Sequence, residues 1–364
     1  MKIKDITSYI EKLAPLAYAE DFDNVGLLVG NYATEVTGVL VTLDTLEETV
    51  DQAIKENCNL IVSFHPIVFA GLKKFNGSNY VERVVMKAIK NDIAIYATHT
   101  ALDNSFNGVS AKMCEVLHLK NKEVLIPQKG TIKKLITFVP TDKASKIREA
   151  LYNAGAGSIG NYSNCSFNTE GIGTFKGNDD SNPVVGTKGV LQEEQETQIG
   201  ITFSKHLESE ILSALIKTHP YEEVAYEITT LENVNQHIGI GMIGELETPL
   251  NTFDFLSYVK LNMNTECIRH SKPLQKNIQK VAVLGGSGSF GINAAIAKGA
   301  DAYITADFKY HEFYKAEGKL LITDIGHYES EQFTKNLLVD YLKEKFRNFA
   351  IILSNKSTNP IYYS

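Results

Sequence analysis

The chain has 364 residues, 43% of them hydrophobic and 22% charged, a globular composition on a chain too long for one ordinary core. Its 36 basic and 43 acidic side chains leave a formal charge of −7, which excludes a surface built for nonspecific binding to nucleic acid or anionic membranes. The cysteines, Cys58, Cys114, Cys165 and Cys267, show no CxxC spacing, and no apolar stretch approaches the roughly 20 residues that cross a bilayer. The N-terminal MKIKDITSYIEKL reads as an amphipathic helix without the apolar block of a signal peptide, so a cytoplasmic protein with reduced thiols is expected.

From residue 1 to 128 strands and helices alternate: TGVLVTLD, the helix TLEETVDQAIKEN, CNLIVSFHP, the helix NYVERVVMKAIKND, IAIYATHT, then the helical GVSAKMCEVLHL. Strands apolar throughout and separated by helices indicate a parallel or mixed sheet covered on both faces. Residues 237–364 repeat this grammar in KVAVLGGSGS, GINAAIAKGA, DAYITADF and LLITDIGHYESEQFTKNLLVDYLKEKF. Asp44 to His65 and Gly286 to Asp307 span the same interval of 21 residues, which reads as a weak internal repeat of a βαβ unit or as a common loop and helix length met by chance. Residues 129–236 read differently, with KKLITFVP, KASKIREALYNAG, a Gly/Asn/Ser-rich middle, QIGITFS, KHLESEILSALIKTH and VAYEITTL. They form two βαβ-like halves, an inserted ferredoxin-like α+β domain. The expected fold is therefore α/β, a mixed sheet in two related βαβ-containing halves covered by helices and interrupted by that insertion.

His65, Asp103, His327 and Glu331 follow apolar strand-like runs, and ligands collect at the carboxyl ends of strands in open α/β sheets. Glu331 lies four positions after His327, so a helix puts both on one face. Imidazoles with carboxylates suit zinc, iron or manganese, and carboxylates able to bridge make two ions compatible with the set. Each residue also has a plainer reading. HxxxE occurs on solvated helix faces, His65 fits a histidine capped by backbone at a strand end, and Asp103 fits an N-cap before a helix beginning near Gly108. His99 is read as a second ligand, a general base or a hydrogen-bond partner of Asp103, and His311 as facing the same cleft or as an exposed helix residue. The loop Gly285 to Ser289 either cradles an anion or is a turn that needs glycine. Asp23 and Asn24 read as turn residues.

Together EDFDNVGLLVG, SFHPIVF, YATHTALDN, GGSGS, DAYITADFKYHE and DIGHYESE resemble the dinuclear-metal-centre, Nif-three-like proteins known as GTP cyclohydrolase 1 type 2 homologues. The middle segment, with GTFKGNDDSNPVVGTKGVLQEEQE and HPYEEVAYEI, is similar to the PII/CutA-like insertion of the longer bacterial members. The resemblance implies that His65, Asp103, His327 and Glu331 are metal ligands with His99 close by. It also implies a toroidal homohexamer whose sites face an inner cavity. Most such proteins carry two adjacent histidines where this chain has Phe64-His65, and Phe22 stands where their WDN motif has Trp.

The expected function is that of a metal-dependent hydrolase of a nucleotide-like substrate, with one or two divalent ions per subunit activating water and His99 or His311 moving protons. The reaction that the family's name suggests is attack of water at purine C8, opening the imidazole ring with release of formate. The alternative is a non-catalytic metal-binding protein that senses an effector or recruits partners. Neither membrane nor nucleic acid is an expected partner.

Overall fold

The computed structural model describes residues 1–364 and divides into two compact units, Met1–Pro127 with Gln236–Ser364, and Gln128–Asn235. The first unit is α/β, built on two mixed sheets rather than the single sheet expected. One sheet places Gly26–Val29, Ala94–Ala97, Leu60–Ser63, Val39–Thr42 and Ile351–Leu353 side by side. The last four of these run parallel, and Gly26–Val29 closes the edge antiparallel to Ala94–Ala97. The other places Arg269–His270, Leu321–Asp324, Ala302–Ala306, Ile278–Ser287, Gly239–Leu250 and Lys120–Pro127 in order, with a parallel centre and antiparallel flanks.

Each half of the chain lends the other's sheet a strand. Ile351–Leu353, at the far end of the sequence, extends the N-terminal sheet beside Val39–Thr42. Lys120–Pro127, from the N-terminal half, pairs with Gly239–Leu250 in the C-terminal sheet. Neither Lys120–Pro127, which begins KNKE, nor Gly239–Leu250, which carries three glycines, has an apolar alternation readable as a strand.

The central strands Val39–Thr42, Leu60–Ser63 and Ala94–Ala97 are buried at every position, which is why they read as continuous apolar runs. Helices cover them. Ile3–Leu13 turns Ile3, Ile6 and Ile10 inward at helical spacing, and the Lys2 amide donates to Asp5 at 2.8 Å to close its first turn. Tyr80–Lys90 starts where the Asn79 side chain accepts from the Glu82 amide, and it buries Val84, Val85 and Ala88. No helix is long and apolar enough to cross a membrane.

The second unit runs strand, helix, strand, strand, helix, strand: Ile132–Pro140, Ala144–Asn153, Phe167–Phe175, Gln192–Ser204, Glu208–Thr218 and Tyr226–Thr230. Its antiparallel sheet has the βαββαβ arrangement of ferredoxin-like modules, with Ile132–Pro140 and Gln192–Ser204 central. Leu135, Val139, Ile199, Ile201 and Phe203 meet Ile147, Leu151, Ile211 and Leu215 of the helices in its own core. Phe167–Phe175 was expected only as part of a turn-rich stretch. Its two interior glycines and exposed side chains conceal a strand that is held by nine partners of Gln192–Ser204.

Leu60 is fully buried against Ile3, Val41 and Leu102 in the first unit's core. Leu60→Ala is expected to lower the unfolding free energy by about 2–5 kcal/mol, read from urea denaturation followed by circular dichroism.

Candidate metal centre

The parallel strands of both sheets deliver titratable side chains at their carboxyl ends. Asp44 follows Val39–Thr42, His65 follows Leu60–Ser63, His99 follows Ala94–Ala97, Asp307 follows Ala302–Ala306, and His327 follows Leu321–Asp324. The backbone carries His65 clear of its strand, its amide donating to the Leu43 carbonyl at 2.9 Å. Gly326, at φ +92°, turns the chain into the short helix His327–Glu331, and a Cβ there would lie 2.2 Å from Glu329 Oε2.

Three histidines are oriented in the same way. Each Nδ1 faces an aspartate: His65 with Asp44 at 2.8 Å, His327 with Asp307 at 2.7 Å and His99 with Asp23 at 2.7 Å. A carboxylate only accepts, so each Nδ1 carries a proton. The aspartates are held in turn. Asp44 accepts from the Thr358 hydroxyl at 2.5 Å, Asp307 from that of Ser287, and Asp23 from the amide and hydroxyl of Thr100.

With Nδ1 committed, Nε2 of His65 and of His327 turn toward one oxygen, Oε2 of Glu331, at 3.1 and 3.3 Å. Glu331 is only 4% exposed, yet this oxygen makes no hydrogen bond. Both rings approach it without aiming an N–H at it, so the donor atoms surround a point rather than bonding to one another. One ligand atom from each of His65, His327 and Glu331 falls within 4.8 Å of the others. A buried carboxylate oxygen left without a partner between two imidazoles fits a cation, which would take all three lone pairs.

Electrostatics agree with that geometry. Burial opposes charge on His65, but the flanking Asp44 and Glu331 outweigh it and push the ring up to about 10. The same opposition, won by Asp307 and Glu331, raises His327 to about 11. Burial would raise Glu331, but His327 and His65 hold it down at about 2. Without a cation the three groups therefore form a charged cluster. Asp103 lies within reach of the charges of Glu331, His65, Asp23 and His327, and burial first, then Glu331, raises its carboxyl well above the ordinary range.

The structure thus brings His65, His327 and Glu331 together and sets Asp103 in their field outside the tight triad. Asp103 is not an N-cap; it ends the short helix His99–Asp103. His99 stands beside the triad, its ring 5.4 Å from that of His65, and its backbone φ of +27° is strained for a non-glycine residue. The structure does not bring His311 to the cluster. That ring is exposed and packs on Tyr310 and Tyr314, because a 3-10 turn, Tyr310–Ala316, carries it away from the strand end. Phe64 is fully buried in the core, with its ring 4.9 Å from that of His65.

Sequence reasoning missed the roles of Asp23, Asp44 and Asp307. Their signal was the spacing, matched to the wrong partner. The interval from Asp44 to His65 pairs in chemistry with Asp307 to His327, 20 residues, and not with Gly286 to Asp307. The glycine segment also lies against the cluster. Gly285 to Ser287 still belong to a strand, and the Gly286 amide donates to the Ser330 hydroxyl. Gly286, at φ +67°, leaves room for the site, since a Cβ there would lie 2.4 Å from Glu331 Oε1. Gly286→Ala is expected to lower stability by about 1–3 kcal/mol, checked by calorimetry.

The sequence pattern of the Duf34/NIF3 (NGG1p interacting factor 3) family matches residues 1–360. A Bacillus subtilis protein named GTP cyclohydrolase 1 type 2 homolog is 37% identical over 365 residues, covering 99% of this chain and 98% of its own. A Staphylococcus aureus protein of the same name is 31% identical over 368 residues, with 100% of both chains covered. The solved structure of a Bacillus cereus protein related to NIF3 superposes with a TM-score of 0.86 at 37% identity, covering 100% of this chain and 99% of that one.

Proposed function

The chain belongs to the Duf34/NIF3 family, and from that premise we propose that it binds a divalent cation at the His65, His327 and Glu331 cluster and hydrolyses a nucleotide-like substrate there. The observation that carries the reading is the buried Glu331 Oε2, which has no hydrogen bond although two imidazole nitrogens flank it. When bound, a divalent cation such as zinc, iron or manganese supplies a Lewis acid that lowers the pKa of water.

The chain's residues do the rest. His65, His327 and Glu331 hold the first ion, and Asp44 and Asp307 keep both rings in the tautomer that presents Nε2. Asp103 and His99 supply donors for a second ion, while Phe64 contributes none, so the three converging atoms favour one ion over two. His99, with Nδ1 locked on Asp23, keeps Nε2 free to carry a proton between water and substrate. The nucleotide-like substrate follows the name of the relatives, GTP cyclohydrolase 1 type 2 homolog. The assembly we carry forward is the toroidal homohexamer of the family resemblance, in the cytoplasm, with the second unit as its PII/CutA-like module.

The βαββαβ order of that second unit favours a second reading, a non-catalytic metal-binding protein that senses an effector. Turnover separates the two. The hydrolase reading expects metal-dependent hydrolysis of GTP or another nucleotide that vanishes in both His327→Ala and Glu331→Ala while circular dichroism stays unchanged. Equally negligible rates in wild type and variants would instead support the sensor.

Asp44→Asn and Asp307→Asn are each expected to weaken metal affinity about 10–100-fold, measured by competition with a chromogenic chelator. Metal binding is also linked to protons. The ion-free rings of His65 and His327 stay protonated up to about 10 and 11, so the proton competes with the cation across the neutral range. Apparent affinity therefore falls as pH falls. Titrating zinc into chelator-treated protein at pH 7 in buffers of different ionisation enthalpy should show about two protons released per ion; no release would contradict the protonated cluster.

A further inference from the structure

The second unit's helices cover one face of its sheet, and no helix covers the other. Leu135, Val139, Ile199 and Ile201 point into the helical core. Alternation along the strands sends Phe138, Glu196 and Gln198 the opposite way. On the neighbouring strand Gly171 pairs with Glu196 and Thr169 with Gln198, so their side-chain positions share that face. The glycines of this strand leave a hollow. A Cβ on Gly173 would lie 2.1 Å from Glu196 Oε2, so the carboxylate occupies the space that any other residue would fill. The loop after Phe175 returns over the hollow, held where the Asn182 amide donates to Glu222 at 2.7 Å. Between sheet and loop lies a cavity of about 790 Å³, within the usual range of small-molecule sites.

Its chemistry is specific. Glu196 is 9% exposed and lines the cavity. Oε1 accepts from the Tyr221 hydroxyl at 2.9 Å, and no protein donor reaches Oε2. Tyr221 is positioned by His219, whose Nδ1 accepts the Tyr221 amide at 3.1 Å while Nε2 donates to the Phe138 carbonyl at 3.0 Å. Phe175 and Tyr221, with ring centroids 5.9 Å apart, and Phe138 form aromatic walls. Of the charged residues that line the cavity, Glu170, Glu196, Glu222 and Glu223 are acidic and only Lys176 is basic.

We propose that this cavity binds a small neutral or cationic molecule with a flat edge of two N–H donors, the edge shared by a guanine base and a guanidinium group. A carboxylate accepts such a pair through both oxygens in one plane. The aromatic walls stack on a flat group, and the acidic surroundings select against phosphorylated forms. Loading this cavity requires nothing of the metal cluster.

Calorimetric titration of the full-length protein tests the assignment, with guanosine and agmatine as separate arms that distinguish the two sources of the donor edge. Inosine, which lacks the second donor, and guanosine monophosphate serve as comparators. The expected result is saturable binding of guanosine or agmatine, weakened about tenfold or more by Glu196→Gln, with His327→Ala binding as wild type does. Inosine and guanosine monophosphate should bind more weakly than guanosine. Tyr221→Phe, which keeps the charge and removes only the hydroxyl that steadies it, provides a second variant with a smaller loss should Glu196→Gln not fold. No binding of either ligand at millimolar concentration, wild-type affinity in the Glu196 and Tyr221 variants, or binding lost in His327→Ala would each overturn the proposal.

Discussion

The first unit depends on a single arrangement, in which aspartates hold the outer nitrogens of His65 and His327 so that the inner ones face a buried carboxylate. Such a concentration of charge is costly to bury unless each group finds its counterpart. Asp44 and Asp307 satisfy Nδ1, but Nε2 of each ring faces the cluster with no hydrogen bond aimed at Glu331. Glu331 Oε2 is in the same position. Once the rings give up their Nε2 protons, three acceptors face one point, an arrangement complementary to a cation, and the hydrogen bonds that orient the rings are what create it.

That arrangement requires both halves of the chain. Asp44, His65 and His99 come from the N-terminal sheet and Asp307, His327 and Glu331 from the C-terminal one. The exchange of strands ties the halves together: Ile351–Leu353 pairs with Val39–Thr42, and just beyond it Thr358 donates to Asp44. The Asn359 side chain donates to Glu329, inside the helix that carries His327 and Glu331. The end of the chain therefore steadies a group from each half. Two glycines, Gly286 and Gly326, complete the design by leaving the space in which Glu331 and Glu329 sit.

The inserted unit answers to different constraints. The chain leaves the first unit at Pro127 and returns at Gln236, and the flanking strands pair directly, with Gly239 opposite Pro127. An insertion at such a closed pair disturbs neither sheet. The unit has its own core, and glycines on the bare face of its sheet replace the side chains that a packed face would need. A sheet face without a helix over it and with a nearly buried carboxylate is poor material for a core.

The repeated strand and helix grammar was legible because strands buried on both faces must be apolar throughout, and Leu60–Ser63 and Ala94–Ala97 are. His327 and Glu331 were legible because helical spacing alone puts them on one face. Lys120–Pro127, Gly239–Leu250 and Phe167–Phe175 were not, since their pairing rests on backbone hydrogen bonds to distant strands and leaves no side-chain period. The sequence by itself determined which residues end the strands, and so which chemistry was available at that edge. Only the tertiary structure decided that Asp44, Asp307 and Asp23 each take one histidine, that His311 turns away and that Asp103 lies outside the tight triad. Hydrogen-bond partners are chosen by distance in space, which local spacing along the chain does not encode.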